Sequence, residues 1–157
     1  MIKVNVVLKK KAWKNYLKNP TRFIKNKISK INSKNKKFRK NHLTFTLLLS
    51  SDNEIKKLNK KFRNKNKVTD VLSFPFYNKK NLEKKLLKEK NIYLGDIIIN
   101  YNKIENRKKN KKNFIREFNK IWIHGLVHLF GYKHKRDKDF KNMHIVEKNY
   151  LKFIKNV

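Results

Sequence analysis

Apolar and polar positions alternate with strand period over residues 2–8 (IKVNVVL), where Val4 and Val6 fall on one side, and again over residues 43–49 (LTFTLLL). Between these two strands the spacing of Trp13, Leu17, Ile24, Ile28 and Ile31 predicts helix over residues 13–32, broken or restarted by Pro20. A basic loop over 33–41 completes the connection. Ser51-Asp-Asn-Glu54 reads as a capping box in which Ser51 and Glu54 satisfy each other's free backbone donors. It opens a helix over 52–62 that should bury Ile55, Leu58 and Phe62. Residues 68–74 (VTDVLSF) form a third strand, closed by Pro75, and residues 93–100 (YLGDIIIN) a fourth. The Lys-rich stretch 77–91 between them reads as a loop carrying a short helix. Helices are expected over 101–108, 113–130 and 139–154.

Four strands mixed with helices predict an α/β (α+β) fold, a small mixed sheet covered by helices. At 157 residues the chain is expected to be a single domain over 1–157. No apolar run reaches the roughly 18 residues of a membrane span, and the N-terminus lacks the apolar stretch of a signal peptide. A soluble, cytoplasmic protein is the expectation. The absence of cysteine excludes a disulfide scaffold, thiolate chemistry and a Cys-built zinc site.

A formal charge of +33 points to a polyanionic partner, because lysines and arginines displace counterions from phosphates. The cations are 38 lysines against 6 arginines, beside 23 asparagines and 3 glycines, a bias that AT-rich coding would produce. Such drift would make many lysines solvated positions rather than contacts, so the charge by itself fits either reading. The residues that resist this bias carry more information: the arginines, the glycines and the clustered histidines.

Three of the five histidines lie in His124-Gly-Leu-Val-His128-Leu-Phe-Gly131-Tyr-Lys-His134. Four residues on a helix rise ~6 Å, so His124 and His128 share one face and both imidazoles can reach one ion. Gly131 sits where a helix ends in a left-handed residue, after which the chain can return His134 to the same place. Three imidazoles and an open position are the arrangement of a catalytic zinc. A structural zinc would need a fourth protein ligand, and only Asp137, Asp139 or His144 lies near in sequence. The same histidine spacing occurs in metzincin proteases, whose general-base Glu follows the first histidine. Here that position is Gly125.

The chain resembles the YbeY family of metal-dependent endoribonucleases. Residues 124–134 follow the family's H-G-x-x-H-L-x-G-Y-D-H signature at all specified positions but one, Lys133 standing for Asp. Arg63 precedes Thr69-Asp70-Val71-Leu72-Ser73-Phe74-Pro75, like the Arg and T-D/N-V-L-S-F-P segment of the family. Leu94-Gly95-Asp96-Ile97, Met143 and Glu147 are similar in the same order. The resemblance implies a zinc-dependent endoribonuclease acting on ribosomal RNA of the small subunit, with one Zn²⁺ held by His124, His128 and His134. It implies no membrane or DNA partner.

It also makes Arg63 a catalytic candidate, since a guanidinium grips two phosphate oxygens at once. On sequence alone Arg63 is better read as a cation against the C-terminal carbonyls of the helix from Asp52. Asp70 or Asp96 could orient a histidine, or merely cap and pair locally. Ser73 could lie near the site, or serve the turn before Pro75. Met143, Phe114, Phe118 and Trp122 read as core, and His42 and His144 carry no assigned role. The lysines over 56–67, 79–90 and 108–112 could line a cleft that tracks the phosphates of single-stranded RNA; individual RNA-binding residues are not identified. The rival reading is a non-enzymatic RNA-binding assembly factor whose metal is structural.

Overall fold

A computed structural model describes residues 1–106, 110–134 and 136–155. The strands are β1 (Ile2–Leu8), β2 (His42–Ser50), β3 (Val71–Pro75) and β4 (Asn91–Asn100). The helices are α1 (Trp13–Tyr16), α2 (Pro20–Lys34), α3 (Asp52–Arg63), α4 (Lys79–Lys88), α5 (Tyr101–Glu105), α6 (Lys111–Leu129) and α7 (Asp137–Ile154). One mixed sheet runs in the order β1-β2-β4-β3. β1, β2 and β4 are parallel, and β3 is the antiparallel edge strand beside β4.

The expected α+β sheet covered by helices is present. Pro20 does restart the first helical segment, as the first residue of α2, with the Asn19 side chain accepting from the Arg22 N–H. Asn78 and Asn110 cap α4 and α6 in the same way. These asparagines are therefore more than compositional drift.

One face of the sheet packs against α2 and α6 around Phe45, Leu47, Leu49, Ile97 and Ile99, and α7 lies against those two helices. The histidine helix α6 is held there by Phe114, Phe118, Trp122, Ile123, Leu126, Val127 and Leu129, all fully buried. Burying each large apolar side chain contributes roughly 1.5–3 kcal/mol. The apolar face of α6, rather than its histidines, thus fixes the helix on the sheet.

The opposite face carries α3 over a smaller cluster of Ile55, Leu72 and Ile98. Ile55 is buried as expected, but Leu58 is only half-buried and Phe62 is 57% exposed. The buried position on the last turns of α3 goes instead to Asn59, whose side-chain amide donates to the Lys67 carbonyl at 2.8 Å. Ser51 occupies the N-cap of α3 without a side-chain capping bond, so the expected capping box does not form. Asp52 and Glu54 remain to favour the positive helix end.

β3 begins at Val71, three residues later than expected, and the backbone just before it is tied to Asn100 at the end of β4. The Asn100 N–H donates to the Asp70 carbonyl at 2.9 Å and its side chain to the Thr69 carbonyl at 3.1 Å. β4 carries a bulge opposite Thr44/Phe45 that changes which alternate residues face the core, Leu94 before it and Ile97 after. Gly95 makes this possible: its φ is +129° and a Cβ would lie 2.1 Å from the Phe74 carbonyl oxygen. Of the helix expected over 101–108, α5 covers 101–105, and residues 107–109 lie outside the described residues.

Candidate metal centre and active-site cleft

α6 ends in a Schellman turn. The Gly131 N–H donates to the His128 carbonyl at 2.8 Å and the Tyr132 N–H to the Val127 carbonyl at 3.4 Å. Gly131 has φ +85°, and a Cβ there would meet the Lys79 backbone at 2.6 Å. Only glycine serves, and the reversal returns His134 towards the helix. The ring centroid of His134 lies 5.6 Å from that of His124 and 5.1 Å from that of His128. One ligand nitrogen from each of the three histidines lies within 4.8 Å of the others. Among the described residues no further His, Asp or Glu joins this group.

The two helix histidines are oriented for ligation through Nε2. His124 Nδ1 bonds Glu147 Oε1 at 2.7 Å, and His128 Nδ1 bonds the Tyr132 carbonyl at 2.8 Å. Both acceptors require the proton on Nδ1, which leaves each Nε2 with a lone pair. The two Nε2 atoms face each other at 3.0 Å. Two nitrogens on a tetrahedral zinc sit ~3.3 Å apart, so the pair needs to open by only a few tenths of an ångström. Burial pushes the His128 imidazole down to about 4, with the Tyr132 carbonyl offsetting part of the shift. The neutral form that burial favours is the form that binds metal. The donor set fits a divalent ion that accepts imidazoles.

The histidines open onto a cleft of about 590 Å³ lined also by Arg63, Asp70, Ser73, Phe76 and Lys133. Arg63 is one of three cations in the last turn of α3, where positive charge favours the helix end. Asn64, at φ +54°, ends that helix, and the Arg63 guanidinium donates to the Ser73 carbonyl at 3.0 Å, lying 5.6 Å from the Phe74 ring centroid. The carboxylate that orients a histidine is Glu147 from α7, rather than Asp70 or Asp96. Asp70 lines the cleft, whereas Asp96 accepts from the Tyr93 hydroxyl at 2.6 Å on the other face of the sheet. Met143 and the aromatic residues of α6 are core, as expected. His144 stands 3.8 Å from the second oxygen of Glu147.

Position 125 argues against a protease. A Cβ on Gly125 would meet Ile97 Cγ2 at 2.7 Å and Ser73 Oγ at 3.2 Å. This face of α6 is pressed against the sheet, so it has no room for a general-base carboxylate.

The profile described as Endoribonuclease YbeY matches residues 8–155. The chain belongs to the YbeY family. An Endoribonuclease YbeY of Pelagibacter ubique is 46% identical over 157 residues, covering 99% of this chain and 97% of its own. One of Thermodesulfovibrio yellowstonii is 37% identical over 131 residues, covering 82% and 76%. The solution structure of TM1509 from Thermotoga maritima shares the fold, with a TM-score of 0.56 and 26% identity over 98% of this chain and 89% of that one. In this YbeY chain Lys133 stands at the cleft wall where the signature has Asp, and Glu147 supplies the ordered carboxylate beside the histidine cluster.

Proposed function

We propose that the protein is a zinc-dependent endoribonuclease that hydrolyses phosphodiester bonds of single-stranded RNA during maturation of small-subunit ribosomal RNA in the cytoplasm. The observation that carries this reading is the convergence of three imidazoles and one guanidinium on a single cleft in a member of this family. His124, His128 and His134 would hold one Zn²⁺, which supplies Lewis acidity towards a phosphate oxygen and acidifies water.

The chain's own groups do the rest. Glu147 and the Tyr132 carbonyl keep the two helix imidazoles in the ligating tautomer. Arg63, steadied by the Ser73 carbonyl, has further N–H donors for the phosphate that gains charge in the transition state. Lys133 at the cleft wall attracts the RNA backbone. No helix among the described residues is long and apolar enough to cross a membrane.

A purely structural zinc is disfavoured, because such sites use four protein ligands and this group has three among the described residues. Cleavage of single-stranded RNA by the purified protein should stop in chelator and return with added zinc. Undiminished cleavage in chelator would contradict the reading.

A further inference from the structure

Phe76 is the first residue beyond β3 and is 66% exposed, yet it lines the same cleft as the histidines. It is not a loose side chain. Its N–H donates to the Leu94 carbonyl at 2.9 Å, which fixes its backbone to the bulge of β4. Tyr77 and Tyr93 meet its ring at 71° and 73°, with centroids 5.0 and 6.2 Å away. Tyr93 is itself tied down by Asp96 at 2.6 Å and Thr46 at 3.0 Å. Neither neighbour lies parallel to Phe76, so the ring is oriented without being stacked.

The other aromatic rings of the cleft carry cations instead. Lys79 Nζ stands 4.8 Å from the Tyr132 ring centroid and Lys85 Nζ 5.8 Å from that of Tyr77. An oriented, exposed aromatic ring in a cleft whose other aromatic rings carry lysine cations has the chemistry of a single-stranded nucleic-acid platform. Every base has a π-face, so stacking adds affinity without reading sequence. A protein partner is less well matched, because the ring continues directly into the cleft that holds the candidate metal ligands.

We propose that Phe76 is a stacking platform for a base of the single-stranded RNA entering the cleft, positioning the neighbouring phosphate between Arg63 and the three histidines. The inference rests on the endoribonuclease reading for the identity of the ligand. It explains why a large aromatic ring remains in water at this point, held by two tyrosines. It also accounts for a preference for unpaired RNA, whose bases are free to stack on protein.

The test measures binding in chelator, so that turnover does not intervene. A labelled single-stranded oligoribonucleotide is titrated against the wild type, Phe76→Ala, Phe76→Leu and Phe76→Trp. Phe76→Ala and Phe76→Leu should each weaken binding by about tenfold with unchanged melting temperature. The wild type should bind an abasic oligonucleotide of equal charge about as weakly. Trp13 and Trp122 are fully buried, so the Phe76→Trp variant carries an exposed reporter. Its fluorescence should be quenched by the oligonucleotide and not by inorganic polyphosphate. Wild-type affinity in Phe76→Leu, or equal quenching by polyphosphate, would overturn stacking. If zinc-loaded wild type cleaves no RNA while the stacking results hold, the endoribonuclease reading fails and the platform stands. Cleavage by the wild type with undiminished binding by Phe76→Leu overturns the platform alone.

Discussion

Glu147 Oε1 lies 2.7 Å from His124 Nδ1, so α7 reaches across 23 positions of sequence to orient a histidine of α6. The contact fixes which nitrogen of His124 faces the cleft and makes that nitrogen a better donor to metal. Glu147→Ala should lower zinc affinity by ~10–100-fold, read by competition with a chromophoric chelator. Glu147→Gln keeps an acceptor without the charge and should fall between the alanine variant and the wild type. Equal affinity in all three would show that the contact is incidental.

The helical spacing of His124 and His128 and the glycine stop at 131 were legible in sequence because both are local. Glu147 was visible only as a matching letter, since its role depends on the packing of α7 against α6. Gly95 likewise becomes meaningful only once the bulge brings Phe74 against it. The burial expected for Phe62 failed for a related reason. Apolar periodicity cannot show that Asn59 ties the following loop to the buried face of α3 and leaves Phe62 outside it.

The glycines give an ordering of stabilities. At Gly125 an added methyl group meets the Ile97 side chain, which can rotate, and Gly125→Ala should cost about 1–3 kcal/mol. At Gly131 it meets Lys79 backbone in a left-handed conformation, so Gly131→Ala should cost more and should also weaken metal binding by displacing His134. Denaturant midpoints check the order; a milder effect at Gly131 would contradict the turn geometry.

Metal-free protein should lose stability in acid. Burial lowers the His128 pKa from 6.5 to about 4, so between these values the unfolded chain binds the proton and the folded chain does not. Stability contributed by the neutral imidazole is present above about pH 6.5 and is lost as pH falls towards 4. Melting temperatures of the chelated wild type and His128→Asn across this window test the claim. The variant should show a shallower fall than the wild type.

Arg63 is exposed, so its replacement should leave the fold intact. Arg63→Ala should lower RNA cleavage by roughly 10²–10³-fold with metal content unchanged. Arg63→Lys should restore only part of the loss, because ammonium cannot form the paired contacts of guanidinium. Full activity in Arg63→Ala would reduce this residue to a strut for the Ser73 carbonyl.

The most direct test of the central claim is metal stoichiometry measured together with RNA cleavage, on the wild type and a His128→Ala variant shown by circular dichroism to be folded. One zinc per chain and RNA cleavage are expected in the wild type, with both lost in the variant. A folded variant that still cleaves RNA, or a wild type purified without chelator that holds no metal, would contradict the claim.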